Sequence, residues 1–277
     1  MAWSVAGKRA LVTGASAGIG AAVAEELAAA GCTVGLCARR ADRLDAVLAR
    51  CRSGAPASRA WPVDLEDLDG VAPFAARVEA ELGPIDILIN NAGMPKRRHA
   101  ALLRIDEVER VMALNYLSPV RLTLALLPGM LARGEGRIVN VSSVAARLGP
   151  PREGAYAASK AALSAFTDSL AVDLAGSGVT AHVVNPGIID TELFRVPDNE
   201  PSLGELTPER PEALAAAMRH QIEEGGFELW FPAWLKEVAA LKINDPDGYL
   251  AGSIEYTAQR VAALGLPDPL APTAPGR

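Results

Sequence analysis

Basic residues do not dominate this chain. Its 27 Lys and Arg stand against 33 Asp and Glu, a formal charge of -6 over 277 residues. That balance excludes the basic footprint of a nucleic-acid binder. Cysteine is scarce: Cys32, Cys37 and Cys51 are the whole set, with no CxxC pair among them. A disulfide scaffold and a thiolate metal site are therefore both excluded, and a reducing compartment is expected. The three histidines, His99, His182 and His220, lie far apart without metal-ligand spacing, and His182, inside a strand pattern, is read as structural. No metal is expected. No stretch approaches the ~18 uninterrupted apolar residues of a membrane span. The opening MAWSVAGKRALVTG shows no charged leader followed by a long apolar run. The expected location is the cytoplasm.

What is present is a rhythm. Short apolar runs at 9–13, 33–38, 60–63, 86–90, 137–142 and 179–184 alternate with helical patterns at 19–30, 42–50, 67–82, 106–133 and 156–175. Apolar strands separated by helices imply a mostly parallel sheet covered on both faces, with right-handed crossovers. The expected class is α/β, a doubly wound mostly parallel sheet in a single domain over 1–265. The ligand crevice then lies at the carboxyl ends of the strands. After Phe194 the rhythm breaks. Residues 195–211 carry four prolines and read as a loop, 212–224 as a helix, and 227–231 as a seventh strand. Residues 192–265 form a variable substrate-binding extension of loop and helix, and 266–277 a flexible tail.

Between the first strand and its helix stands Thr13-Gly14-Ala15-Ser16-Ala17-Gly18-Ile19-Gly20. Glycines there let the backbone turn tightly and approach a diphosphate, which the helix N-terminus attracts. The end of the second strand selects the dinucleotide. NAD sites place an acid there, ~20 residues further on, for the ribose 2'-hydroxyl. Here Ala38 is followed by Arg39 and Arg40. A guanidinium pairs with a 2'-phosphate that a carboxylate would repel, so NADP(H) is expected, with Arg39 the main contact and Arg40 in support.

Tyr156 and Lys160 are i and i+4 on one helix face. A free tyrosine titrates near ~10, and a neighbouring ammonium lowers that value. Tyr156 then acts as general acid in reduction and general base in oxidation. Ser143 ends the fifth strand and can hold a substrate oxygen. Its neighbour Ser142 faces the other way, so only one of the two points into the site.

At this point the sequence resembles the short-chain dehydrogenase/reductase family, in its single-domain branch, with a Rossmann-like fold. The motifs that carry the resemblance are TGxxxGxG at Thr13–Gly20, Asp64, NNAG at Asn90–Gly93, Asn115, Ser143, Tyr156 with Lys160, and Asn185-Pro186-Gly187 through Thr191. They keep their order over residues 5–194. The resemblance implies that Gly14, Ser16, Ala17, Gly18, Ile19 and Gly20 cradle the diphosphate. It implies that Asp64 contacts the adenine with Leu65 beside it, and that Asn90, Ala92 and Gly93 line the cleft through the backbone. Pro186, Gly187, Ile188 and Thr191 would flank the nicotinamide amide. Lys160 would hold the nicotinamide ribose, with Tyr156 beside it. Asn115 would anchor a proton-relaying water, and Ser143 would position the carbonyl. A homodimer or homotetramer is implied on the same ground.

The chain departs from the family twice. Ala17 stands where many NADP-dependent relatives carry a basic residue, and a VDGG-like ending is missing, with Glu228–Pro232 in the seventh-strand position. Two segments have open roles. Lys96-Arg97-Arg98-His99 is either a solvated loop or an attractor for an anionic substrate group. Phe227, Trp230, Phe231 and Trp234 pack the seventh strand, line an apolar substrate pocket or touch a membrane surface. Packing is the simplest of the three, and no membrane partner is expected. The expected reaction interconverts a carbonyl and a secondary or primary alcohol of a mainly apolar small molecule. The alternatives are a non-catalytic NADP(H)-binding regulator and the same chemistry with NAD(H).

Overall fold

The computed structural model describes residues 3–267, 269 and 270. Strand β1, Arg9–Thr13, shows how the sheet is built. Its side chains alternate between two cores: Ala10 and Val12 enter one apolar cluster, and Leu11 enters the other. Helices must therefore cover both faces. The other strands are β2 (Thr33–Ala38), β3 (Arg59–Pro62), β4 (Ile87–Asn90), β5 (Gly136–Val141), β6 (Val179–Pro186) and β7 (Glu228–Phe231). All pair in parallel, in the order β3-β2-β1-β4-β5-β6-β7. This is a doubly wound, Rossmann-like sheet.

One layer comprises α1 (Gly18–Ala29), α2 (Ala41–Cys51) and α8 (Pro211–Glu224), which bury Leu27, Leu44 and Met218. The opposite layer comprises α3 (Val71–Leu82), α5 (Ser118–Arg133) and α7 (Gly154–Asp173), which bury Val78, Leu122 and Leu170. Strand order reverses between β1 and β4, so their carboxyl ends open a crevice.

The helical pattern at 106–133 resolves into α4 (Ile105–Met112) and α5, joined by one π-helical turn, Ala113–Leu117, that contains Asn115. By length and composition this run could cross a membrane, yet Leu122, Leu126 and Met130 on it are fully buried in the core. The helix expected from Asp67 begins at Val71, because Asp67 closes a turn by accepting from Gly70 N. The 196–210 segment has neither helix nor strand, apart from a bridge of Glu209 to Ile189.

Beyond β7 the chain forms α9 (Leu235–Asn244) and α10 (Pro246–Ala263), and a short α6, Ala145–Leu148, lies against α9. Helix α10 has no counterpart among the helices expected from the sequence. Its start is legible all the same: Asp245 caps it by accepting from Gly248 N at 2.9 Å, and Pro246 occupies the first turn. The expected flexible tail falls largely on residues 268 and 271–277, outside the described residues.

Half of the aromatic segment packs, while Phe227 and Trp234 are exposed. Trp230 is buried with Leu235 and Ala239, and Phe231 lies against the larger core. None of Phe227, Trp230, Phe231 and Trp234 is among the residues lining the main cavity. His182 is structural, bonded to Thr180 Oγ1 at 2.6 Å and Gly226 O at 2.8 Å.

Candidate active site

One cavity of about 850 Å³ runs along the carboxyl edge of the sheet, from the glycine loop to α10. At one end, Gly14 and Gly18 adopt φ of +66° and +56°, a region closed to most side chains. A Cβ on Gly14 would stand 2.9 Å from Ala92 Cα, and one on Gly18 would stand 2.8 Å from Thr191 Cγ2. The loop is thus shaped as a bare backbone cradle. It leads into the N-terminus of α1, whose first turn holds no acid and no side-chain cap. Free N–H groups and partial positive charge therefore face the cleft. Thr13 Oγ1 fixes the opposite wall by accepting from Asn91 N and Ala92 N, both at 2.9 Å.

Arg39 and Arg40 lie at the mouth of this half, at the end of β2, where no acid stands. The Arg39 side chain is 59% exposed and pairs with Glu66 at 3.0 Å. Arg40 donates to Ser16 Oγ at 3.2 Å and pairs with Glu192 at 2.8 Å. The cradle, the uncapped helix terminus and the two guanidinium groups suit a phosphorylated dinucleotide. Ser16, Ala17, Ile19, Asp64 and Leu65 line this half of the cavity.

Gly20, Asn90 and Asn115 do not line the cavity; they lie behind its wall. A Cβ on Gly20 would meet Gly14 O at 2.5 Å, so this glycine serves packing beneath the loop. Asn90 Nδ2 donates to Asn140 Oδ1 at 2.8 Å and to Thr123 Oγ1 at 3.1 Å, in the buried sheet interior. Asn91, the neighbour that sequence analysis passed over, lines the cleft instead. Asn115 accepts from Met94 N at 2.8 Å and donates to Met94 O and Ser159 Oγ, each at 3.0 Å. It braces the loop bearing Gly93, where a Cβ would come within 3.2 Å of Asn115 Oδ1 and 3.4 Å of Lys160 Nζ.

Midway along the cleft, Ser143, Tyr156 and Lys160 converge. Ser142 and Ser143 diverge as strand alternation requires. Ser142 Oγ turns inward to Ser164 Oγ at 2.7 Å and Lys160 O at 3.0 Å, whereas Ser143 Oγ accepts from Ala145 N at 3.1 Å and lines the cavity with Tyr156. Lys160 Nζ lies 5.9 Å from the Tyr156 ring centroid and donates to Val141 O at 2.8 Å. Burial pushes the Tyr156 phenol up to about 12, against the lowering effect of Ser143 and Arg97. The lowering expected from Lys160 is not seen. Burial brings that ammonium down to about 8, and its proton donors turn to a backbone carbonyl.

Pro186, Gly187, Ile188 and Thr191 form the wall facing these groups. The far half is closed by Leu148, Pro150, Leu203 and Leu206, with Tyr249 and Tyr256 from α10. Tyr256 Oη and Arg260 Nε both donate to Leu203 O, at 2.7 and 3.2 Å, tying α10 to the 196–206 segment.

The segment after NNAG is not a solvated loop, and Lys96 and Arg97 line the main cavity. Lys96 and Arg97 are buried. Lys96 Nζ pairs with Glu107 at 2.7 Å and Asp198 at 3.0 Å, and Arg98 pairs with Asp198 at 2.6 Å. Arg97 Nε donates to Glu200 O at 2.8 Å. These cations hold the far-half cover in place.

The family model described as short chain dehydrogenase matches residues 8–200. An uncharacterised oxidoreductase of Mycobacterium bovis is 41% identical over 212 residues, 75% of this chain and 62% of the relative. The chain spans about three fifths of the length of such curated relatives. Among solved structures, a short-chain dehydrogenase from Streptomyces avermitilis superposes with a TM-score of 0.74 at 31% identity, covering 93% of this chain and 96% of that one. A 3-oxoacyl (acyl-carrier-protein) reductase from Agrobacterium tumefaciens with NADP bound gives 0.74 at 30% identity, covering 82% and 93%. With the motifs and the sheet in agreement with these matches, the chain belongs to the short-chain dehydrogenase/reductase family.

Proposed function

We propose that the protein is an NADP(H)-dependent oxidoreductase that interconverts a carbonyl and a secondary or primary alcohol. The observation that carries this reading is the convergence of Ser143, Tyr156 and Lys160 in the same cavity as the glycine cradle. The bound dinucleotide supplies the hydride at nicotinamide C4 and accepts it in the reverse direction.

Each residue then has a definite task. Ser143 donates to the substrate oxygen and places it beside the Tyr156 phenol. Burial keeps Tyr156 protonated, which is the form a reduction needs, because the carbonyl oxygen takes that proton as its carbon gains hydride. Lys160, held near 8, carries a proton that it can pass on at neutral pH. It is also placed to turn from Val141 O to a ribose hydroxyl. Asn115, in its π-helical turn, fixes the wall beside Lys160 through its bonds to Met94 and Ser159.

Arg39 and Arg40 support the choice of NADP(H), as does the NADP found in the Agrobacterium reductase. The apolar cover of Leu148, Leu203 and Leu206 supports a mainly apolar small-molecule substrate. The unpaired thiols of Cys32, Cys37 and Cys51 support a cytoplasmic setting. Leu117, Leu124 and Leu131 recur at heptad spacing along α5 and the turn before it, and all are exposed. That strip supports assembly as a homodimer or homotetramer.

Hydride transfer is tested with NADPH deuterated at both C4 positions and an apolar ketone, by mass spectrometry of the product. One deuterium on the carbinol carbon is expected. An alcohol formed without deuterium would refute direct transfer.

A further inference from the structure

Glu192 follows Thr191 directly and opens a one-turn 3-10 helix, Glu192–Arg195. Its carboxylate reaches across the mouth of the cleft to the start of α2. Oε2 accepts from Arg40 Nη1 at 2.8 Å, and Oε1 is bonded by Arg43. The same Arg40 guanidinium donates to Ser16 Oγ from Nη2 at 3.2 Å and from Nε at 3.4 Å. One cation thus links the glycine loop, the end of β2 and the first residue of the segment leading to the far-half cover. Ser16, Arg40 and Glu192 all line the main cavity. Arg39 is held differently, by Glu66 of the segment after β3, which Arg110 also contacts at 3.1 Å.

The Arg40 and Glu192 side chains are 44% and 54% exposed. Such a solvated pair is weak and readily exchanged. A phosphate monoester offers up to two charges and three strong acceptors to the same fork of donors. Two guanidinium groups hold the Glu192 carboxyl down at about 2, so it stays an anion through the neutral range. Carboxylate and phosphate cannot both sit at full charge against one guanidinium without repelling each other.

We propose that Glu192 is a phosphate gate: its carboxylate engages Arg40 and must yield that guanidinium to the 2'-phosphate of NADP(H), so that it sets how strongly the site discriminates phosphorylated from unphosphorylated nucleotide. This rests on the NADP(H) reading. It adds a specificity-determining residue outside the glycine loop and the two arginines after β2.

Calorimetric titration with 2',5'-ADP and 5'-AMP isolates the 2'-phosphate from the rest of the cofactor and needs no turnover. Glu192→Gln is expected to bind 2',5'-ADP about threefold to tenfold more tightly than wild type, the range set by losing two exposed ion pairs. Binding of 5'-AMP stays unchanged. Glu212→Gln, which removes a nearby acid bonded to Arg210 rather than Arg40, behaves as wild type. An equal gain in Glu212→Gln would reduce the effect to bulk charge and overturn the gate. A wild-type preference for 2',5'-ADP that Glu192→Gln leaves unchanged or weakens overturns the gate alone. No preference in either protein removes both the gate and the NADP(H) reading.

Discussion

Lys160 Nζ stands 5.9 Å from the Tyr156 ring centroid, one helical turn along α7, and its hydrogen bond goes to Val141 O rather than to the phenol. Burial therefore acts on the two groups in opposite senses. It lowers the lysine to about 8 and raises the tyrosine to about 12, because each loses hydration of its charged form.

That burial has a measurable effect on folding. Lys160 titrates near 10.5 when solvated and near 8 in the fold, so the folded state binds its proton less tightly. The resulting cost, about 3 kcal/mol, is full below pH 8 and fades as pH rises towards 10.5. Lys160→Met removes the cost. Denaturant unfolding is expected to show the variant more stable than wild type at neutral pH, with the difference shrinking steadily above pH 8. A difference that does not change with pH would mean the ammonium is not held down.

The glycine loop should tolerate no side chain at its tightest point. Gly14→Ala places a methyl 2.9 Å from Ala92 Cα on a backbone at φ +66°. Forcing L-residues into that region costs ~1–2 kcal/mol before any clash is counted. Titration of NADPH fluorescence should show affinity lower by at least about tenfold. Unchanged affinity would separate the cradle from nucleotide binding.

Arg39→Ala should cut the affinity for NADPH while sparing NADH. Loss of a charge-assisted bond to phosphate is worth ~1.5–3 kcal/mol, or about ten- to a hundredfold. Parallel titrations of the two cofactors measure the ratio directly. An unchanged ratio would move the main contact from Arg39 to Arg40.

The strands were legible in the sequence because residues such as Leu11, Ile89 and Val139 are buried between two helical layers, which leaves unbroken apolar runs. The glycine turn and the Tyr156–Lys160 pair were legible because each depends on local spacing. Helix α10 was not. Its pocket-facing side carries Tyr249, Ser253 and Tyr256, while Leu250 and Ile254 are exposed, so the usual amphipathic pattern is inverted. The roles of Lys96 and Arg98 were hidden for another reason. Their partner Asp198 lies about a hundred residues away, and no local pattern encodes such a pairing. Glu192 was missed likewise, since its tie to Arg40 spans 152 positions. The separate directions of Ser142 and Ser143 followed from strand alternation, and the choice of Ser143 followed from the family resemblance.

The central claim is that Tyr156 transfers the proton during carbonyl reduction. The most direct measurement is NADPH consumption against a panel of aldehydes and ketones, from small polar to long-chain and polycyclic, with Tyr156→Phe beside the wild type. Loss of a positioned acid costs about a hundredfold to ten-thousandfold in rate. The account expects wild-type turnover favouring apolar carbonyls and a loss of that size in the variant, with NADPH binding intact. Turnover by Tyr156→Phe at the wild-type rate would contradict it.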